Sequence, residues 1–292
     1  MTPLRRRMSE DMQVRNLSPC TQQSYIDQVA RFAQHFHRSP DRLGPEHIRD
    51  YQLFLAREKR LASSSIGVAV SALRFLYRVT LGKDWNIREC LPAPKQPSKL
   101  PVVPSPEEVV RFLDGVTNTK HRTILTACYA AGLRISEAVS LRPRNIDSAR
   151  MVIRVEQGKG RKDRYVMLSP KLLQILRDYW RRTRPEGEWL FPGGIADSHV
   201  NRHTVERACQ KARVRARLDK PITPHSLRHG FAVHLLENGV DVRTIQMLLG
   251  QRSLATTARY LQIACSKVCS ATSPLDLLPR PPAAADGQRA AR

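Results

Sequence analysis

The side chains with chemistry to offer stand where helices begin or end. Arg134 follows Gly132 in Ala131-Gly-Leu-Arg-Ile-Ser-Glu137. His225 and Arg228, in Pro224-His-Ser-Leu-Arg-His229, are three apart in the first turn of a helix and so share a face. Tyr260 closes Leu249-Gly-Gln-Arg-Ser-Leu-Ala-Thr-Thr-Ala-Arg-Tyr, behind small polar residues. Singly these are weak signals, since a lone arginine is usually a solvated charge and a lone helical tyrosine is usually core. Together they supply permanent guanidinium charge, an imidazole and a phenol.

Other chemistries lack their residues. Gly158-Lys-Gly-Arg-Lys162 has neither the spacing nor the following Ser or Thr of an ATP-binding phosphate loop. No Asp/Glu cluster suited to two magnesium ions is visible, which counts against a metal-dependent nuclease or transposase. His225 and His229 are four apart, but no glutamate base follows the first, unlike in the zinc proteases. Cys265 and Cys269 stand four apart without a nearby His or second cysteine pair. No metal and no cofactor is therefore expected. Cys20, Cys90, Cys128, Cys209, Cys265 and Cys269 are scattered, and read as reduced thiols of a cytoplasmic protein.

The charge names a partner class. Lys and Arg number 49 against 26 Asp and Glu, a net +23 over 292 residues. Such an excess repels itself unless a polyanion screens it, so nucleic acid is the expected partner. A membrane is not: no run approaches about 18 apolar residues, and Met1-Thr-Pro-Leu-Arg-Arg-Arg-Met8 leads into an amphipathic pattern without an apolar signal core.

The elements that must position these residues divide at prolines. Six fall between Leu91 and Pro106, which enforces an extended, semi-rigid linker. Before it the pattern is all helical. A basic helix runs through Leu4 to Val14. Ser18-Pro19 opens a second with Tyr25, Val29, Phe32 and Phe36 on one face. Pro45 opens a third that should bury Ile48, Leu53 and Phe54. Ser63 to Ser65 cap a fourth with Ile66, Val70, Leu73, Leu76 and Tyr77 as its stripe. After the linker, Ser105-Pro-Glu-Glu108 is a capping box. Helices are predicted from about His121 to Gly132 and over Ser136 to Leu141. The period then switches to two in Met151–Val155 and Arg164–Leu168, joined by a Gly-containing hairpin loop. Further helices are predicted over 170–182, 200–215, 225–238 and 242–249, with Gly239 and Gly250 at their C-caps. The domains are expected at 1–86 and 105–270, with the linker at 87–104 and a disordered tail at 271–292.

In order and spacing, these motifs resemble the tyrosine recombinase (phage integrase) family, in its Xer-like, mobile-element branch. The resemblance runs to about Ala264. It implies a mainly α protein with a small antiparallel β-sheet, built as a two-domain DNA clamp. A SAM-like helical core-binding domain would face a catalytic domain. It implies a site-specific recombinase or integrase that cuts and rejoins double-stranded DNA through a 3′-phosphotyrosyl intermediate, as a homotetramer on two paired sites. On the family motifs, the phosphate arginines fall on Arg134 and Arg228, the hairpin lysine on Lys159, the motif histidine on His225 and the nucleophile on Tyr260. Gln251 departs, since the family usually has His and sometimes Trp there.

The residues suit those roles physically. Two guanidinium forks match the non-bridging oxygens of a pentacoordinate phosphorus better than lysine does. The Tyr260 phenol splits one hard step into two. His225 is suited to accept or position its proton, and Lys159 to protonate the leaving 5′ oxygen. Gln251 keeps a donor in its side-chain NH2, so an active but slowed enzyme is expected. Glu137 is expected to buttress the arginine site and His229 to brace it from behind. Arg161, Lys162 and Arg164 beside the hairpin, and Arg202, Arg207, Lys211 and Arg213 on one helix, are expected DNA contacts. Two other readings stay open: a type IB topoisomerase-like relaxing enzyme, and a DNA-binding relic weakened at Gln251.

Overall fold

A computed structural model of the chain describes residues 2–86, 91, 92, 94, 100–156, 163–251 and 253–264. Lys159, Arg161 and Lys162, most of the expected linker and the expected tail lie outside the described residues. The chain divides into two compact units, Met1–Lys99 and Leu100–Arg292. Among the described residues, no helix is long and apolar enough to cross a membrane.

The first unit is all helical: α1 (Pro3–Val14), α2 (Pro19–Phe36), α3 (Pro45–Arg57) and α4 (Ser63–Phe75). Thr2 and Ser18 accept the first free amides of α1 and α2, each followed by proline at the first helical position. The core gathers Met8, Met12, Phe32, Ile48, Tyr51, Leu73 and Tyr77. Phe32 meets Tyr51 edge-to-face at 5.1 Å, and the buried Tyr77 hydroxyl donates to the Pro40 carbonyl at 2.9 Å. Leu53 departs from expectation. It is 39% exposed, because Ile48, Tyr51 and Leu55 set the buried stripe of α3 and Leu53 lies off it.

The second unit is mainly helical with a small antiparallel sheet. It runs α5 (Pro106–Asp114), α6 (Thr119–Ala130), α7 (Ile135–Val139), β1 (Ile146–Asp147), β2 (Val152–Val155), β3 (Arg164–Met167), α8 (Pro170–Thr183), α9 (Arg202–Arg215), α10 (Pro224–Glu237), α11 (Val242–Leu249) and α12 (Leu254–Ala258). The strands lie in order β1-β2-β3, with Val152 opposite Met167 and Val155 opposite Arg164. The strands are slightly shorter than expected. Met151 sits at φ 52° in the turn before β2, and β1 and α12 are too short for a periodic signal.

At the centre α6 packs on α10. The latter is buried almost all round through Leu227, Arg228, Gly230, Phe231, Ala232, Val233 and Leu236. A helix without a polar face belongs inside, so the cation Arg228 is carried into the core. Gly250 takes φ 59° to end α11 as expected, and Gly239 takes φ 87° just past α10.

Candidate active site

A buried carboxylate organises the site. Glu137 is 8% exposed and stands three residues into the turn that Arg134 opens. Its Oε2 accepts the Arg134 backbone N–H at 2.8 Å, and its Oε1 accepts the Arg134 guanidinium at 2.7 Å. Arg164 donates to both oxygens at 2.8 Å, a bidentate fork, and Arg228 Nη1 lies 3.7 Å from Oε2. Burial alone would raise the carboxyl's pKa. The arginine hydrogen bonds and charges outweigh it and hold Glu137 down at about 2. The carboxylate is thus ionised at every working pH.

Arg228 is 2% exposed and donates to the carbonyls of Gly132 and Leu249. Burial and the neighbouring cation Arg134 pull its guanidinium down to about 10, which leaves it charged at neutral pH. The Gly132 carbonyl reaches it because the backbone there adopts φ +60° against Phe231. A Cβ would stand 2.5 Å from that ring, so only glycine fits. Gly250 is constrained likewise, with its missing Cβ 2.5 Å from the Arg164 Cδ.

Tyr260 follows α12 and is 3% exposed. Its hydroxyl lies 3.0 Å from His229 Nδ1. Burial raises the phenol's pKa, while Gln251, Arg228, Arg259 and Arg134 oppose that rise. His229 is pulled down to about 4 by burial and by His225, Arg228 and Arg259. His225, exposed one turn earlier on α10, packs its ring 4.3 Å from that of His229. Burial, Arg228 and Arg134 hold it below its ordinary value too. Gln251 does not cap α11 with its side chain. Its backbone N–H closes that helix on Gln246, and its Oε1 accepts from Thr257 at 2.6 Å.

The structure therefore brings Arg134, Glu137, Arg228, His225, His229, Gln251 and Tyr260 into one cluster. Arg202, Arg207 and Lys211 are exposed along α9 and Arg213 is half-buried there, all apart from that cluster. Arg164 is placed otherwise than a DNA contact. Its side chain is 12% exposed, and both terminal guanidinium nitrogens are engaged by Glu137. The strand parity carried that signal. Arg164 shares a face with buried Val166 and lies opposite buried Val155, so it points inward. Thr257 was not singled out by sequence, and nothing in a Thr-Thr pair marks which hydroxyl is buried. Among the described residues, no three His, Cys, Asp or Glu side chains converge as metal ligands.

A bundle with a small sheet that buries a tyrosine hydroxyl beside two arginines belongs to a known class. Residues 105–266 match the phage integrase family, and residues 4–87 match the phage integrase N-terminal SAM-like domain. The Sinorhizobium fredii protein y4qK is 66% identical over 281 residues, covering 96% of this chain and 91% of that one. The tyrosine recombinase XerA of Thermococcus onnurineus is 37% identical over 216 residues, covering 72% and 75%. The crystal structure of XerA recombinase superposes with a TM-score of 0.53 at 28% identity, over 92% of this chain and 96% of that one. XerH bound to its difH substrate, at 19% identity, shares the fold with a TM-score of 0.69 over 88% and 80%.

The chain belongs to the phage integrase family, and it is a tyrosine recombinase acting in site-specific DNA recombination. Neither the relaxing enzyme nor the inactive relic is favoured by these relatives.

Proposed function

We propose that this recombinase cleaves duplex DNA by attack of Tyr260 Oη on the scissile phosphate, leaving a 3′-phosphotyrosyl bond and a free 5′ hydroxyl. The observation that carries this reading is the buried Tyr260 hydroxyl, 3.0 Å from His229 Nδ1 and within the field of Arg134 and Arg228. Arg134 and Arg228 neutralise the non-bridging oxygens as charge builds on phosphorus. Glu137 fixes Arg134 by a backbone and a side-chain hydrogen bond at once. Lys159 protonates the departing 5′ oxygen. The phosphotyrosine keeps the bond energy for rejoining, so neither ATP nor a metal ion enters a step. Four protomers on two paired sites would exchange one pair of strands at a time, in the service of a mobile genetic element. Incubation with nicked suicide duplexes in EDTA, followed by denaturing gels, tests the reading. A covalent adduct supports it, and a reaction without one overturns it.

Exposed Arg202, Arg207 and Lys211 along α9 suit a phosphate track, with Arg161 and Lys162 beside the hairpin. If about ten phosphates are neutralised, the log–log salt slope of duplex binding is about −9. Lys211→Ala should reduce that slope by about one, and Arg164→Ala should leave it unchanged while slowing cleavage. Binding titrations from low to moderate salt read both.

Gln251 gives a third expected result. A neutral, flexible amide stabilises developing charge less than a positioned imidazole, and losing one such donor costs about 10² to 10³ in rate. Gln251→His should raise the single-turnover cleavage rate about tenfold, and Gln251→Ala should lower it by about 10². Equal rates in all three proteins would remove position 251 from the chemistry.

A further inference from the structure

The Glu137 carboxylate has no acceptor position to spare. An ionised carboxylate accepts about four hydrogen bonds, and two arginines supply them all. Oε1 accepts from Arg134 Nη1 at 2.7 Å and from Arg164 Nη1 at 2.8 Å. Oε2 accepts from the Arg134 backbone N–H and from Arg164 Nη2, both at 2.8 Å. Arg228 Nη1 lies just outside hydrogen-bond distance, 3.7 Å from Oε2. The two bonded arginines are used differently. Arg134 gives the carboxylate one guanidinium nitrogen, whereas Arg164 gives it both terminal ones. Arg164 arrives from β3, and its Nε donates to the Leu248 carbonyl at the end of α11 at 3.4 Å. Its stem packs where a side chain on Gly250 would stand. With a side chain only 12% exposed, it is turned to the carboxylate and away from DNA.

On the reading that Arg134 and Arg228 hold the phosphate that Tyr260 attacks, we infer that Arg164 is a positioning residue for the reaction. It saturates Glu137, so that the carboxylate orients Arg134 by one guanidinium nitrogen and leaves the rest of that group, and Arg228, to the phosphate. Without Arg164, two acceptor positions open on a buried anion. A buried charge left with unfilled hydrogen bonds is costly, so the nearest donors move to it. Those donors belong to Arg134 and Arg228. A fork of Arg134 closed on Glu137 cannot also close on the non-bridging oxygens, because one planar guanidinium presents one such edge at a time in a given direction. Arg164 thus acts through Glu137 and never touches the substrate.

Single-turnover cleavage of a nicked suicide duplex by the full chain, at saturating protein, tests this. Arg164→Met should cleave about 10² more slowly while binding duplex with native affinity and salt slope. Lysine has a similar stem and returns donors to the carboxylate, so Arg164→Lys should recover most of the loss. A duplex with methyl in place of one non-bridging oxygen of the scissile phosphate carries one negative charge fewer and asks less of the arginines. On it the ratio of native to Arg164→Met rates should fall below about ten, which a loss of packing alone would not produce. With a neutral amide at position 137 there is no carboxylate to saturate, so adding Arg164→Met to Glu137→Gln should cost no further rate. That comparison carries the test if Arg164→Met alone does not bind duplex. A native rate in Arg164→Met, no gain in Arg164→Lys over it, an unchanged ratio on the methyl duplex, or a further loss in the Glu137→Gln background would each overturn the assignment. An adduct that survives in Tyr260→Phe would defeat the nucleophile reading itself, a separate result.

Discussion

Tyr260→Phe should abolish the covalent protein–DNA adduct while leaving duplex affinity within about a factor of two. On the proposed mechanism the missing atom is the one that bonds phosphorus, whereas affinity would come from many basic side chains spread over the surface. The phenyl ring keeps the packing of a residue only 3% exposed, against Phe231, Leu236, Ile245 and Leu249 in its cluster. What the fold loses is the hydroxyl's bond to His229, about 1 kcal/mol. The variant should therefore fold and bind. A persisting adduct would direct attention to Tyr165, which is 52% exposed, before Tyr179, which is buried against Phe191.

The second large effect is expected at Glu137. Glu137→Gln removes the one negative charge that Arg134, Arg164 and Arg228 surround, and leaves three cations to repel one another in a buried site. Breaking a buried ion pair on one side typically costs about 3–5 kcal/mol. Folded Glu137 titrates at about 2 against an ordinary value of 4.5. A carboxylate depressed in the folded state stabilises above its unfolded pKa and loses that contribution as pH falls. The native protein should lose about 3 kcal/mol between pH 4.5 and 2 from this group, a loss absent from Glu137→Gln. At pH 7 the variant should melt roughly 10 °C lower, at about 2–4 °C per kcal/mol for a unit of this size. Cleavage should fall by more than duplex binding, since Arg134 loses the carboxylate that orients it. Thermal melts at pH 7 and pH 3 check both limbs. Equal Tm in the two proteins would show that the ion cluster is not coupled to stability.

The sequence made the helices legible where a cap, a proline and a stripe agreed, as in α2, α5 and α10. It misplaced Leu53 because α3 offers apolar residues on more than one side, and only packing selects Tyr51 and Leu55 over Leu53. In the site, motif spacing marked Arg134, Arg228 and Tyr260, which the fold gathers from α7, α10 and the segment past α12. What spacing cannot show is how one carboxylate is shared. Arg164 reads as one more cation beside a basic loop until β3 places it on the buried face, over a glycine with no Cβ. His229 shares the helix face of His225 at a spacing of four, yet which of the two meets Tyr260 depends on where the chain past α12 returns. Thr257 and Gln251 are six apart and meet only because α11 ends at left-handed Gly250.

The central claim is that Tyr260 Oη becomes bonded to DNA. Duplexes selected for binding from a random-sequence library, nicked to trap cleavage, are incubated with the full chain in EDTA. The trapped adduct is digested, and its peptide is sequenced by mass spectrometry. The account predicts a peptide containing Tyr260 joined to a 3′ phosphate, formed without added metal or nucleotide. A phosphate on any other side chain, or a linkage to the 5′ end, would contradict it.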